Sequence, residues 1–163
     1  MKNSTIQQCV KILLQDWNNN QSRPTFHYAF AIKKNRIIEI GKNNPNYPSF
    51  KALNLGRTYN IEKWKNFPYL HAESDLITKL QKDEINRHLE ILSIRINRHG
   101  EFRLAKPCQN CQNLLSQLNI QKVSWSCNCP ERKKNNLILQ SQHSISVVWL
   151  CTHSLTTTIT HNV

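Results

Sequence analysis

Residues 70–80 read LHAESDLITKL, and residues 104–115 read LAKPCQNCQNLL. The first stretch sets a histidine and a glutamate two positions apart where a helix begins. The second sets two cysteines three positions apart behind a proline. Cys108 and Cys111 are spaced to bind one metal ion from a single helical turn. Pro107 suits the entry to that helix. A thiolate at a helix N-terminus is stabilised by the unpaired N–H groups there. His71 would add a third ligand from the start of a different helix. Three protein ligands leave one tetrahedral position open, as in a catalytic zinc, whereas a structural zinc wants a fourth. Glu73 would reach the open side without binding the metal. Zinc lowers the pKa of its water to about 7, and a nearby carboxylate can take that proton and pass it to a leaving amine. Such equipment suits hydrolytic deamination of an aminated heterocycle.

Several elements must hold these residues in place. Ile6, Cys9, Val10, Leu13, Leu14 and Trp17 recur at helical spacing, with Ser4 and Gln7 as a candidate capping box and Asn18–Asn20 as the stop. FHYAFAI (26–32) and RIIEI (36–40) read as strands joined by a short hairpin. From Gly41 to about Tyr69 the chain is rich in asparagine and proline and reads as a long loop with a helical turn. A loop of that length is functional or disordered. Residue 71 opens a helix. LEILSIRIN (89–97) is a strand with Leu92, Ile94 and Ile96 toward the core and Ser93 and Arg95 away from it. Cys111, Leu114, Leu115 and Leu118 mark the helix behind the second motif. KVSWS (122–126) and SISVVWL (144–150) are further strands, with room for a helix between them. The order predicts a three-layer α/β/α fold around a mixed sheet of about five strands, with parallel pairing late in the sheet. Residues 1–150 form one domain and residues 151–163 a polar tail.

A chain of 163 residues suffices for one domain with a real core. No run of about 18 apolar residues occurs, which predicts no membrane span. The opening MKNSTIQQ lacks a signal-peptide pattern, so the chain reads as intracellular and its six cysteines as reduced. The net charge is +12, and the first 70 residues carry 11 basic against 3 acidic side chains. A basic surface attracts phosphate, on a nucleotide or on a polymer, although charge runs are also ordinary solvated faces. Between residues 42 and 69, basic and aromatic side chains interleave. That suits a nucleobase with its phosphate, and it equally suits aromatics that pin the loop to the core. Cys9 reads as core, and His27, His88 and His99 as surface or satisfied core residues. Cys127 and Cys129 with Cys151 and His153 make a candidate second metal site, with free thiols the simpler reading.

Together, His71-Ala72-Glu73 and Pro107-Cys108-Gln109-Asn110-Cys111 resemble the zinc-dependent cytidine and deoxycytidylate deaminase superfamily. The resemblance covers about residues 25–126. Within it, RLAKPCQNCQNLLSQLNIQKVSWS looks like small deaminases of phages and bacteria, which implies a cytoplasm, the host's for a phage protein. The resemblance implies zinc as cofactor, His71, Cys108 and Cys111 as its ligands, and Glu73 as proton shuttle. Gly41-Lys42-Asn43 is similar to the family's G-x-N, which implies that Asn43 contacts substrate, although Asn44 and Asn46 lie alongside. The 33 residues between Glu73 and Pro107 are long for the family. Beyond about Ser126 the likeness ends, where relatives often contact substrate. Many relatives form dimers or larger assemblies, which allows a homo-oligomer. The leading expectation is deamination of cytosine to uracil on a nucleotide such as dCMP. The alternatives are cytosine or adenine deamination in single-stranded DNA or RNA, and a non-catalytic zinc-stabilised nucleic-acid-binding module.

Overall fold

The computed structural model describes residues 1–20, 25–44, 47–127, 136–141 and 144–154. Helix α1 (Asn3–Asn19) leads into β1 (Thr25–Lys33) and β2 (Arg36–Lys42). Then come α2 (Phe50–Thr58), α3 (Glu62–Asn66) and α4 (Ala72–Lys79). Strands β3 (Glu90–Asn97) and β4 (Phe102–Arg103) precede α5 (Gln109–Gln117). The chain continues through β5 (Lys122–Cys127), β6 (Asn136–Ser141) and β7 (Ser144–Ser154).

All the strands join one sheet in the order β2-β1-β3-β5-β7-β6, with β4 paired to β3. The β3–β5 pair is parallel, and the other pairs are antiparallel. A parallel pair needs a crossover, and α5 lies within it. The five expected strands are present, and β4 and β6 make seven. β6 occupies part of the stretch expected to be helical, and β7 continues past residue 150 to Ser154.

Helices cover both faces of the sheet, which makes the three layers. Ile6, Cys9, Val10 and Leu13 of α1 pack on Phe26, Tyr28, Phe30, Leu92, Ile94 and Ile96. On the other face, Ala29, Ala31 and Ile91 pack beneath Trp64, Leu76, Cys111 and Leu114, contributed by α3, α4 and α5. The alternation of large and small residues in β1 is thus a division between two layers. Large rings face α1, while alanines face α4 and let it approach closely. The expectation that Ser93 points away from the core is overturned. With both sides covered, the alternate face of β3 is a second interior, and Ser93 is buried there while Arg95 is exposed.

The segment expected to be a long loop contains α2 and α3. Its apolar helical spacing rests on Ala52, Leu55, Gly56 and Tyr59, too small or too polar a set to stand out. Gly56 lets the helices touch: a Cβ there would stand 2.9 Å from the Trp64 Cβ. The expected capping box at Ser4 does not form. The helix begins at Asn3 with Lys2 as N-cap, and Thr5 instead donates to the Asn35 carbonyl. The β1–β2 hairpin turns through Lys34 and Asn35, both with positive φ. Among the described residues, no helix is long and apolar enough to cross a membrane.

At the end of β2, Gly41 lies hard against α4. A Cβ there would collide with the Ala72 carbonyl oxygen and stand 2.5 Å from Leu76 N. The helix backbone cannot yield without moving its own hydrogen bonds. Gly41→Ala is therefore expected to cost about 1–3 kcal/mol or more, measured as a lower urea midpoint, because it pushes α4 away from the sheet.

Candidate metal centre

Helices α4 and α5 aim their N-termini at one place. His71 is the N-cap of α4 and Cys108 the N-cap of α5. Ser74 secures the start of α4, accepting from His71 N–H at 2.9 Å and donating to the His71 carbonyl at 3.0 Å. Gln112 secures the start of α5, donating to the Pro107 carbonyl at 2.6 Å. The Trp64 ring stands edge-on to the His71 imidazole, with centroids 6.5 Å apart.

His71, Cys108 and Cys111 present ligand atoms that all lie within 4.8 Å of one another. His71 Nδ1 is 3.4 Å from Cys108 Sγ and 3.5 Å from Cys111 Sγ. A tetrahedral zinc with bonds of about 2.3 Å to sulfur and about 2.0 Å to nitrogen separates such atoms by about 3.5 Å. The donor set and its spacing therefore fit zinc. Cys108 is exposed and Cys111 buried, so the cluster opens to solvent on one side.

The charges point the same way. The hydrogen bond from Cys111, with a further one from His71, holds the Cys108 thiol at about 4. That thiolate, then burial and the Glu73 charge, push the Cys111 thiol well above its usual range. The hydrogen bond to Cys108 raises the His71 imidazole. A second thiolate beside the first and beside a carboxylate is strongly opposed unless a cation joins them.

Glu73 is 1% exposed and is held on two sides. Ser93 Oγ donates to its Oε1 at 2.7 Å. His27 Nε2 lies 2.8 Å from Ser93 Oγ and 3.5 Å from the same carboxylate oxygen. The Ser93 proton is committed to Glu73, so His27 Nε2 must be the donor to Ser93. Burial alone would raise the Glu73 carboxyl; the His27 hydrogen bond and charge, aided by Ser93, bring it down to about 2. Glu73 is thus a carboxylate at neutral pH, able to accept a proton. It lies two residues from His71 in the first turn of α4, and its charge helps push the Cys111 thiol up.

Asn43 is half-buried at the end of β2, and its N–H donates to the His27 carbonyl at 3.0 Å. It therefore borders the Glu73 network. Asn44 instead bridges to Leu70, and Asn46 lies outside the described residues. His88 and His99 are exposed, and Cys9 is buried with its thiol pushed up to about 12 by burial. In the candidate second metal site, Cys129 and the side chains of Cys151 and His153 lie outside the described residues. Sequence reasoning passed over Ser93 and His27 as functional residues. Their signal was a hydroxyl and an imidazole at diagonal positions on one face of two neighbouring, largely apolar strands.

Comparison with protein-family models, curated proteins and solved structures finds no match for this chain.

Two outcomes follow from this geometry. Zinc added at neutral pH is expected to displace the Cys111 proton as it binds, so that uptake weakens as pH falls. Titration calorimetry in buffers of different ionisation enthalpy should show proton release, and Cys111→Ser should reduce it. Ser93→Ala leaves a buried carboxylate short of a donor, an expected loss of about 1–3 kcal/mol in denaturant unfolding, with the bound-zinc content unchanged.

Proposed function

We propose that this protein is a zinc-dependent hydrolytic deaminase that converts a cytosine moiety to uracil. The observation that carries the reading is a His71/Cys108/Cys111 cluster at zinc spacing with a buried carboxylate, Glu73, beside it. Bound there, zinc supplies Lewis acidity, lowering the pKa of water at its open position to about 7. The resemblance to the cytidine and deoxycytidylate deaminases supports the same assignment.

The chain's own residues supply the rest. Glu73 enters the reaction ionised, so it takes a proton from the attacking water. It passes that proton to the ring nitrogen, takes a second from the hydroxyl newly formed on the ring carbon and gives it to the departing amino group, so that ammonia leaves as the C–N bond gives way to C=O. Ser93 and His27 keep the carboxylate in place through this exchange, each acting on Glu73 and neither on the base. Asn43, at the rim of that network, is positioned to meet the sugar or base. The net charge of +12 favours a phosphate-bearing substrate, and dCMP is the smallest that carries the right base.

The test is a mass-spectrometric screen of the zinc-loaded protein on cytidine, deoxycytidine, dCMP, dCTP, guanine, and single-stranded DNA and RNA oligonucleotides. Conversion of a cytosine-bearing substrate is expected, reduced by about 10²-fold or more in Glu73→Ala while zinc stays bound. Equal conversion in that variant, or no conversion of any substrate by zinc-bound wild type, would overturn the reading and leave a zinc-stabilised binding module.

A further inference from the structure

Five large apolar side chains are exposed among the described residues, and four of them fall between residues 47 and 69. Tyr47 is 72% exposed, Phe50 71%, Phe67 63% and Tyr69 37%. Anchoring does not account for them. The same segment already buries Trp64 and packs Tyr59 against the core.

The backbone gathers the four together. Ser49 N–H donates to the Pro68 carbonyl at 2.7 Å, so residues 47–50 run beside residues 67–69. Asn44 bridges to Leu70, which ties the end of this strip next to His71 to the neighbour of Asn43. Tyr69 is two residues from His71, so their Cα atoms are at most about 7 Å apart. The strip therefore begins at the metal centre and leads outward.

Its charge is strongly one-sided. Residues 42–70 hold five basic side chains and one acidic one. The single acid, Glu62, is paired with Lys65 at 2.9 Å. Lys51, Arg57 and Lys63 are exposed. A second copy of this chain docking face to face would set these cations against one another, which disfavours self-association. Exposed rings among free cations match bases that stack and phosphates that pair. A lone nucleotide offers one base, and four exposed rings exceed what it can cover.

We propose that Tyr47, Phe50, Phe67 and Tyr69, with Lys51, Arg57 and Lys63, bind single-stranded nucleic acid and lead it to the metal centre. The inference rests on the deaminase reading and names its substrate class as a strand.

The test is fluorescence anisotropy of full-length, zinc-loaded protein with labelled oligothymidylate and oligouridylate of about 15 nucleotides. Neither base carries an exocyclic amine, so binding is read apart from turnover. Binding is expected in at least one arm. Phe50→Ala and Phe67→Ala should each weaken it about fivefold or more, and Phe50→Trp should retain it. Replacing Lys51, Arg57 and Lys63 by glutamine should lower the slope of log Kd against log salt by about 2. All substituted side chains are exposed, and circular dichroism checks that each variant is folded. Affinity unchanged in both alanine variants overturns the proposal. So does a wild-type dimer that Phe50→Ala disperses without any strand binding. If strand binding fails while wild type converts free dCMP, this inference falls and the deaminase reading stands. If strand binding depends on the rings while no cytosine substrate is converted, the surface stands and the deaminase reading falls.

Discussion

The contact between Gly41 and the backbone of α4 governs the geometry of the centre. Helix α4 lies so close to β2 that the Ala72 carbonyl and Leu76 N–H leave no room for a Cβ. Asp75 reinforces the approach by accepting from Lys42 N–H at 2.9 Å, and Lys79 pairs with Asp75 at 2.6 Å while donating to the Ile40 carbonyl. Beneath the helix, β1 presents Ala29 and Ala31. These small residues lower the N-terminus of α4 onto the sheet. Glu73 then reaches Ser93 on β3, and His71 reaches the thiols of α5. A bulkier strand would lift the helix and break both contacts at once.

Electrostatics adds a second constraint. Two helix N-termini bring partial positive charge to the same point, which favours anionic groups there. The chain answers with more negative charge than those termini can balance: Cys108, Cys111 and Glu73. Sharing a proton between the thiols is one solution, and a divalent cation is the other. His27 relieves the carboxylate separately, through Ser93 and by its own approach. Glu73 is thereby anchored to Ser93 and His27, apart from the three-residue set of His71, Cys108 and Cys111.

What could be read from the sequence depended on whether the signal was local. His71 with Glu73, and Cys108 with Cys111, sit within one helical turn of each other, so spacing marked each pair as a candidate. Their meeting in space was an expectation of the combined motif, and the structure brings His71, Cys108 and Cys111 together. Ser93 and His27 were harder to read because hydrophobic alternation identifies one buried face, and this sheet has two. A polar residue on the second face looks solvent-directed until a helix is known to cover it. Helices α2 and α3 escaped notice for another reason. Gly56 is a poor helix former and turn-like by propensity, yet here its missing side chain is what allows Trp64 to pack closely. The β6–β7 hairpin follows a polar stretch whose composition carried no period of two.

The α2–α3 layer shows why the interleaved aromatic residues resisted a single interpretation. Pinning the segment to the core does not require every ring to turn inward. Burial separates the rings into two sets. Trp64 turns inward, seals the layer and braces the His71 imidazole. Tyr47, Phe50, Phe67 and Tyr69 remain at the surface. The segment that carries the outer rings also supplies the ring that packs against His71. Trp64 lies in α3 and Phe67 is its C-cap, so an inward ring against His71 and an outward ring are held by the same turn of chain.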